Sequence, residues 1–131
     1  MVFTEISIQT RKREEFISVT RLVREAVSAS GIKNGVVCVQ VPHTTAGITI
    51  NENADPDVVS DIINWLKSIV SERFEYLHLE GNAPAHIKAS LIGCSTLVII
   101  KEGELMLGTW QGIFFCEFDG PRSRKLWVNI L

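Results

Sequence analysis

The hydrophobic and polar positions along the chain change period several times, and each change predicts an element. Residues 3–9 set Phe3, Ile6 and Ile8 against Thr4, Glu5 and Ser7 and read as a first strand. From about Glu14 to Ser30 the period becomes helical, with Phe16, Val19, Val23, Ala26 and Val27 on one face and Gly31 placed to stop it. Val36–Val41 is short and β-branched, hence a strand, and Pro42 ends it because proline has no N–H for the ladder. Ala46–Asn51 alternates, Ile48 and Ile50 facing away from Thr49 and Asn51. A longer helix follows, capped by Asp55 and opened by Pro56, with Val58, Val59, Ile62, Ile63, Leu66, Ile69 and Val70 as its apolar stripe. A loop through Tyr76–Gly81 leads to a shorter helix, for which Asn82 is the expected cap, Ile87, Leu91 and Ile92 the apolar contacts and Gly93 the stop. The remainder is strand-rich: Ser95–Lys101, a turn at Glu102-Gly103, Glu104–Leu107, Gly112–Phe118, a turn at Asp119-Gly120-Pro121, and Lys125–Leu131.

About six strands and three helices, with the last strands in consecutive hairpins, predict an α+β fold built on a mixed, largely antiparallel sheet in one domain over residues 1–131. Gly112–Phe118 carries Ile113, Phe114, Phe115 and Phe118 with little polar alternation, so both of its faces must be covered. Three helices offer limited area for that, and a neighbouring subunit is the expected cover.

Composition narrows the class. The 131 residues are 46% hydrophobic and 21% charged, as in globular domains, and the net charge of −2 argues against nucleic-acid binding by bulk electrostatics. No apolar run approaches the roughly 20 residues of a membrane span, and the N-terminal MVFTEISIQTRKREE lacks the apolar core of a signal peptide. Cys38, Cys94 and Cys116 form no CxxC pair and lie in apolar segments, which reads as buried thiols of a reducing cytoplasm.

Candidate chemistry is concentrated in a few places. The histidines, His43, His78 and His86, all sit at strand ends, in a loop or at a helix start rather than within an apolar stripe. Three neutral imidazoles around one point would make a zinc-type site with an open fourth position, although the spacing matches no compact metal motif. Glu52, Asp55 and Asp57 cluster after the Ala46–Asn51 strand; Asp55 and Asp57 suit the helix start, leaving Glu52 as a base or as a supporting partner. Gly108-Thr109-Trp110-Gln111-Gly112 brackets an aromatic and an amide with glycines, which suits either a bulge or a close approach to a ligand. Arg122, Arg124 and Lys125 read as solvated charge, with Arg122, in its turn, also able to clamp a phosphate. No Walker or Rossmann glycine pattern is present.

Three longer strings go further than their spacing. PHTTAGITINENADPDV (42–58), HLEGNAPAHIKASLIG (78–93) and LGTWQGIFFCEFDGPRSRK (107–125) closely resemble the secondary thiamine-phosphate synthase enzyme family, also called the YjbQ-like family. The resemblance implies a compact α+β protein that assembles as a homotrimer, sometimes stacked further, with His43, His78 and His86 as a metal or catalytic cluster. It implies weak, secondary thiamine-phosphate synthase activity. The stretch from His78 to Asn82 is short beside members with an inserted loop, which bears on substrate choice. Two function classes follow. In one, the protein is a metal-dependent enzyme, a synthase-like transferase or a metal-assisted hydrolase. There the histidines hold a divalent metal, zinc before magnesium, Glu52 or Glu80 moves a proton, and Thr44, Asn82, Gln111 and Arg122 hold a phosphate-bearing ligand. In the other, it is a non-catalytic oligomer that binds a small anion or a metal.

Overall fold

A computed structural model describes residues 1–131. Eight strands and three helices follow in the order β1 (Val2–Gln9), β2 (Glu15–Ser18), α1 (Thr20–Ser30), β3 (Gly35–Gln40), β4 (Ala46–Glu52), α2 (Pro56–Ile69), α3 (Ala83–Ile92), β5 (Ser95–Lys101), β6 (Glu104–Leu105), β7 (Gln111–Glu117) and β8 (Ser123–Ile130). The α+β class and the three helices are as expected. The single sheet is not: the strands form a five-stranded sheet in the order β1-β8-β3-β5-β6 and a three-stranded sheet in the order β2-β7-β4. Every strand pair is antiparallel.

The two sheets face one another. Ile8, Val37, Val39, Val98, Ile100, Leu126, Val128 and Ile130 from the larger sheet meet Ile48, Ile113 and Phe115 from the smaller one. Val23, Ala26 and Val27 of α1 complete that core. A second core lies on the opposite face of β7, where Phe114, Cys116 and Phe118 pack on Leu66 of α2 and on Ala85 and Ala89 of α3. β7 is therefore covered on both faces within one chain, by a sheet on one side and helices on the other. The expected need for a neighbour to shield it does not arise.

Other departures have local causes. Glu15–Ser18 does not begin a helix, because its backbone pairs with β7, Phe16 opposite Cys116 and Ile17 opposite Phe115. Edge pairing there outweighs the helical period, and α1 starts only at Thr20, whose hydroxyl accepts the Ile113 N–H at 2.8 Å. Asp55 caps α2 as expected, accepting from the Asp57 N–H. Asn82 precedes α3 but its side chain does not cap it. Of the expected contacts of α3, Ile92 packs against the second core, but Ile87 and Leu91 are exposed and Ala85, Lys88 and Ala89 are buried in their place. β7 and β8 do not form a hairpin, since the turn at 119–121 carries the chain from one sheet to the other. Of the thiols only Cys116 is buried; Cys38 is half-buried and Cys94 exposed. No helix is long and apolar enough to cross a membrane.

Candidate functional site

Of the six connections that pass between the sheets, three cross where β2 and β4 begin and β7 ends: β1 to β2, β3 to β4 and β7 to β8. All three do so at the same end, because Glu117, the last residue of β7, pairs with both Glu15 at the start of β2 and Ala46 at the start of β4. Backbone bonds stitch the crossings together: Thr10 N–H to Arg122 C=O, Gly120 N–H to Arg13 C=O, and Phe118 N–H to Thr45 C=O. An open cleft of about 520 Å³ forms there. His43, Thr44 and Thr45 line it from the second crossing, and Arg122 and Arg124 from the third. The loop before α3 adds His78, Glu80 and Asn82, and the first turn of α3 adds His86. Apart from Pro42, every lining side chain is polar or charged.

The floor is an ion pair between the sheets. Arg124 occupies an inward position of β8, in phase with Leu126, Val128 and Ile130, so its guanidinium enters the interior. Its Nε donates to Glu117 Oε1 at 2.8 Å and its Nη2 to Glu117 Oε2 and to Thr45 Oγ1. Glu117 is fully buried and also accepts from Thr10 Oγ1 and from the Asp119 N–H. Burial raises the Glu117 pKa, but the Arg124 and Thr10 side chains and the Asp119 N–H outweigh it, so the carboxyl is held below its ordinary value. A second charged chain runs along the rim. Arg122 donates from Nε to the Asp119 carbonyl and from Nη2 to Asp119 Oδ2, which also accepts from Asn82 Nδ2. Asp119 is likewise shifted downward: burial opposes the shift, and the bonds from Asn82 and Arg122 prevail. In both arginines Nη1 has no protein partner. Each guanidinium is thus fixed by a carboxylate with one edge left over for a ligand.

The histidines share the cleft but have different roles. His43 Nε2 accepts the Lys125 backbone N–H at 2.8 Å, which assigns the ring proton to Nδ1. Burial and then the Arg124 charge lower the His43 pKa, so the ring is neutral and donates from Nδ1. His78 and His86 meet edge-to-face with ring centroids 4.9 Å apart, so the loop does fold back to bring them together. Glu80 Oε1 lies 4.0 Å from His78 Nε2. A three-histidine zinc centre needs three free nitrogen lone pairs aimed at one point. His43 has one lone pair committed to a backbone N–H and a proton on its other nitrogen, and no three His, Cys, Asp or Glu side chains converge closely enough to hold a cation. With two guanidinium groups beside them, these residues do not fit that metal set.

Of the residues expected from the sequence, His43, His78, His86, Glu80, Thr44, Asn82 and Arg122 come together here. Glu52 and Gln111 do not. They pair with each other at the far end of β4 and β7, a strand length of roughly 20 Å away. Glu52 lines a separate cleft with Lys12, Glu15 and Phe16, and the Gln111 amide oxygen closes the 108–111 turn by accepting the Gly108 N–H. Glu117, Arg124 and Thr45 are the residues that sequence reasoning missed. The signals were a lone carboxylate in the apolar run Ile113–Phe118 and an arginine in phase with Leu126 and Val128.

Comparison with known proteins agrees with this fold. The family model described as UPF0047 protein YjbQ-like matches residues 4–131. The chain belongs to the YjbQ-like UPF0047 family. It is 56% identical over 124 residues to a UPF0047 protein of Methanocaldococcus jannaschii, covering 95% of this chain and 90% of that one. It is 48% identical over 127 residues to the UPF0047 protein YugU of Bacillus subtilis, covering 96% of each. Among solved structures, an uncharacterised YjbQ/UPF0047 protein of Clostridium acetobutylicum matches with a TM-score of 0.96 at 55% identity, over 98% of this chain and 99% of that one. A hypothetical protein of Aeropyrum pernix matches with a TM-score of 0.95 at 36% identity, over 100% and 98% of the two chains.

Proposed function

We propose that the inter-sheet cleft binds the phosphate of a small phosphorylated molecule and presents it to the His78–His86 pair for acid–base chemistry. The observation that carries this reading is the pair of guanidinium groups pinned by Asp119 and Glu117, each with Nη1 uncommitted, beside the Nδ1–H donor of His43. Fixed, charge-assisted donors of this kind suit a phosphate oxygen, and two imidazoles in contact can supply acid–base chemistry beside it. The Thr44 and Thr45 hydroxyls and the Asn82 amide supply further neutral contacts around the cleft.

Thiamine-phosphate synthase activity is one form of this reading, because both of its substrates carry phosphate groups that the same donors would hold. Divalent metal, zinc or magnesium, belongs to that activity rather than to the three-histidine set as folded. The other form is a non-catalytic anion-binding protein. We propose further copies of this chain as its partners, three being the number the resemblance implies. Apolar side chains left outside both cores support association: Trp65 and Ile69 on α2, Leu91 on α3, and Leu77 and Leu79, 97% and 96% exposed, on either side of His78.

Isothermal titration with inorganic phosphate, with and without EDTA, tests the binding. Millimolar or tighter affinity that survives EDTA and falls at least tenfold in Arg122→Ala supports the reading; no binding, or binding indifferent to Arg122, refutes it. Complementation of a thiamine-phosphate synthase mutant by the protein and by its His86→Ala variant then separates enzyme from binding module.

A further inference from the structure

The cleft that holds Glu52 runs along β2, and β2 is an outer strand of the smaller sheet with no strand on its other side. The Val19 N–H donates to the Ile113 carbonyl. By the alternation of an antiparallel ladder Glu15 and Ile17 also turn toward β7, and the N–H and C=O groups of Phe16 and Ser18 point away from it. The facing wall is α2, which runs back alongside β2. Pro56, Val59 and Ile63 line this cleft of about 590 Å³, and Lys67, one turn further on, lines an adjoining hollow of about 600 Å³. The two hollows share Lys12 and Glu14 and form one groove.

The groove changes character along its length. Its middle is apolar, lined by Phe16, Val59, Ile63 and Phe114. At the end where α2 begins, the charged lining groups are Glu52 and Asp55; Asp55 caps the helix, while the Glu52 carboxylate has no protein partner. At the other end Lys12, Arg13 and Lys67 line it. The carboxylates there are already matched: Glu14 by Lys88, Glu72 by Arg13 at 3.7 Å, and Glu15 by the Arg11 and Lys12 N–H groups. Lys12 is left with no carboxylate of its own, and Lys67 shares Glu14 with Lys88. Free backbone donors and acceptors, an apolar trough and opposite charges at its two ends are what an extended peptide with free termini presents in complement. The four residues of β2 are too few to favour open-ended pairing between copies, and they limit the occupant to a short strand.

We infer that this groove seats a short free peptide as an added strand on β2, antiparallel to it, with the peptide α-ammonium at Glu52 and its α-carboxylate at Lys12 and Lys67. Lys12 to Ser18 spans roughly 20 Å of extended chain, and a pentapeptide spans about 17 Å. Peptide residues opposite Phe16 and Ser18 turn their side chains onto the trough, so apolar residues belong at the second and fourth positions. None of the groove residues lines the inter-sheet cleft, so this site is separate from the phosphate reading.

The probe is the pentapeptide threonyl-leucyl-threonyl-leucyl-threonine, titrated calorimetrically into the full chain. Saturable binding is expected. N-methylation of both leucine amides, which face β2, should weaken it about tenfold or more, and N-methylation of the central threonine amide, which faces away, by less than about twofold. Acetylating the amino terminus should weaken binding about three- to fivefold in the parent protein and leave it unchanged in Glu52→Gln. The methylated and acetylated peptides need no change to the protein, so the test does not depend on how the variant folds. No saturation at millimolar peptide overturns the inference. Equal losses on methylating either set of amides would deny strand pairing, and equal binding of the acetylated peptide would deny a free amino terminus at Glu52; either result also overturns it. Phosphate titration of the same protein is read separately, so the phosphate reading stands or falls by itself.

Discussion

The buried pair of Glu117 and Arg124 makes a prediction that separates folding from binding. Glu117 is 0% and Arg124 6% exposed, and the two share a bidentate contact across the sheets. Arg124→Met leaves a buried carboxylate with only the Thr10 hydroxyl and the Asp119 N–H. Glu117→Met leaves a buried guanidinium with only Thr45. Each single change strands a charge and should cost about 3–5 kcal/mol. For a chain of this length that is a fall in Tm of roughly 10–20 °C. The double Glu117→Met, Arg124→Met variant strands nothing and places apolar side chains beside an apolar core. It should lie well above the sum of the singles, with a coupling energy of about 2–3 kcal/mol. Urea denaturation of the four proteins measures the cycle. The double variant should also fold with native circular dichroism yet lose phosphate binding, since one of the two fixed donors has gone. Additive losses, or single variants within about 0.5 kcal/mol of the parent, would refute the view that this pair joins the sheets.

Three further predictions follow from the same geometry. Glu117 and Asp119 titrate below their ordinary values of 4.5 and 3.8, so their stabilising contribution is complete above those values and is lost as pH falls through the lowered ones. Tm should therefore ease downward below about pH 6.5, where the lowered His43 pKa lets the unfolded chain take up that proton first, and drop steeply below about 4.5; a flat profile down to pH 3 would contradict the assignment. Lys88, buried on α3 against Glu14, anchors the helix that carries His86. Lys88→Met should cost about 2–4 kcal/mol, measured by urea denaturation, and loss of less than about 0.5 kcal/mol would deny it that role. Light scattering at micromolar concentration should give a trimer; Trp65→Lys with Leu91→Lys should shift the mass toward 14.6 kDa if the α2–α3 face is the contact, and an unchanged trimer would place the contact elsewhere.

Local patterns sufficed for most elements, because each rests on neighbours in the chain. The β5 strand at Ser95–Lys101, the Asp55 cap, and the stop at Gly31, whose φ is +72°, all follow from side-chain period and backbone chemistry within a few residues. Family-like strings brought His43, His78, His86, Glu80, Thr44, Asn82 and Arg122 forward, and they share one cleft. What sequence alone could not decide is which sheet each strand joins. Period-2 alternation says that a strand has an inner face but not which partner it faces, so β7 and β8 looked like a hairpin. Only the tertiary structure splits them between sheets and sets Glu117 against Arg124 at the crossing. Glu52 shows the same limit in reverse. It follows the histidine segment closely in the chain, yet one extended strand carries it to the opposite end of the fold. The His43 tautomer, too, depends on a backbone N–H from Lys125, 82 residues away. Sequence thus determined the elements and most of the polar groups available. The tertiary structure decided which of them meet, because pairing and crossing act over separations that no local pattern records.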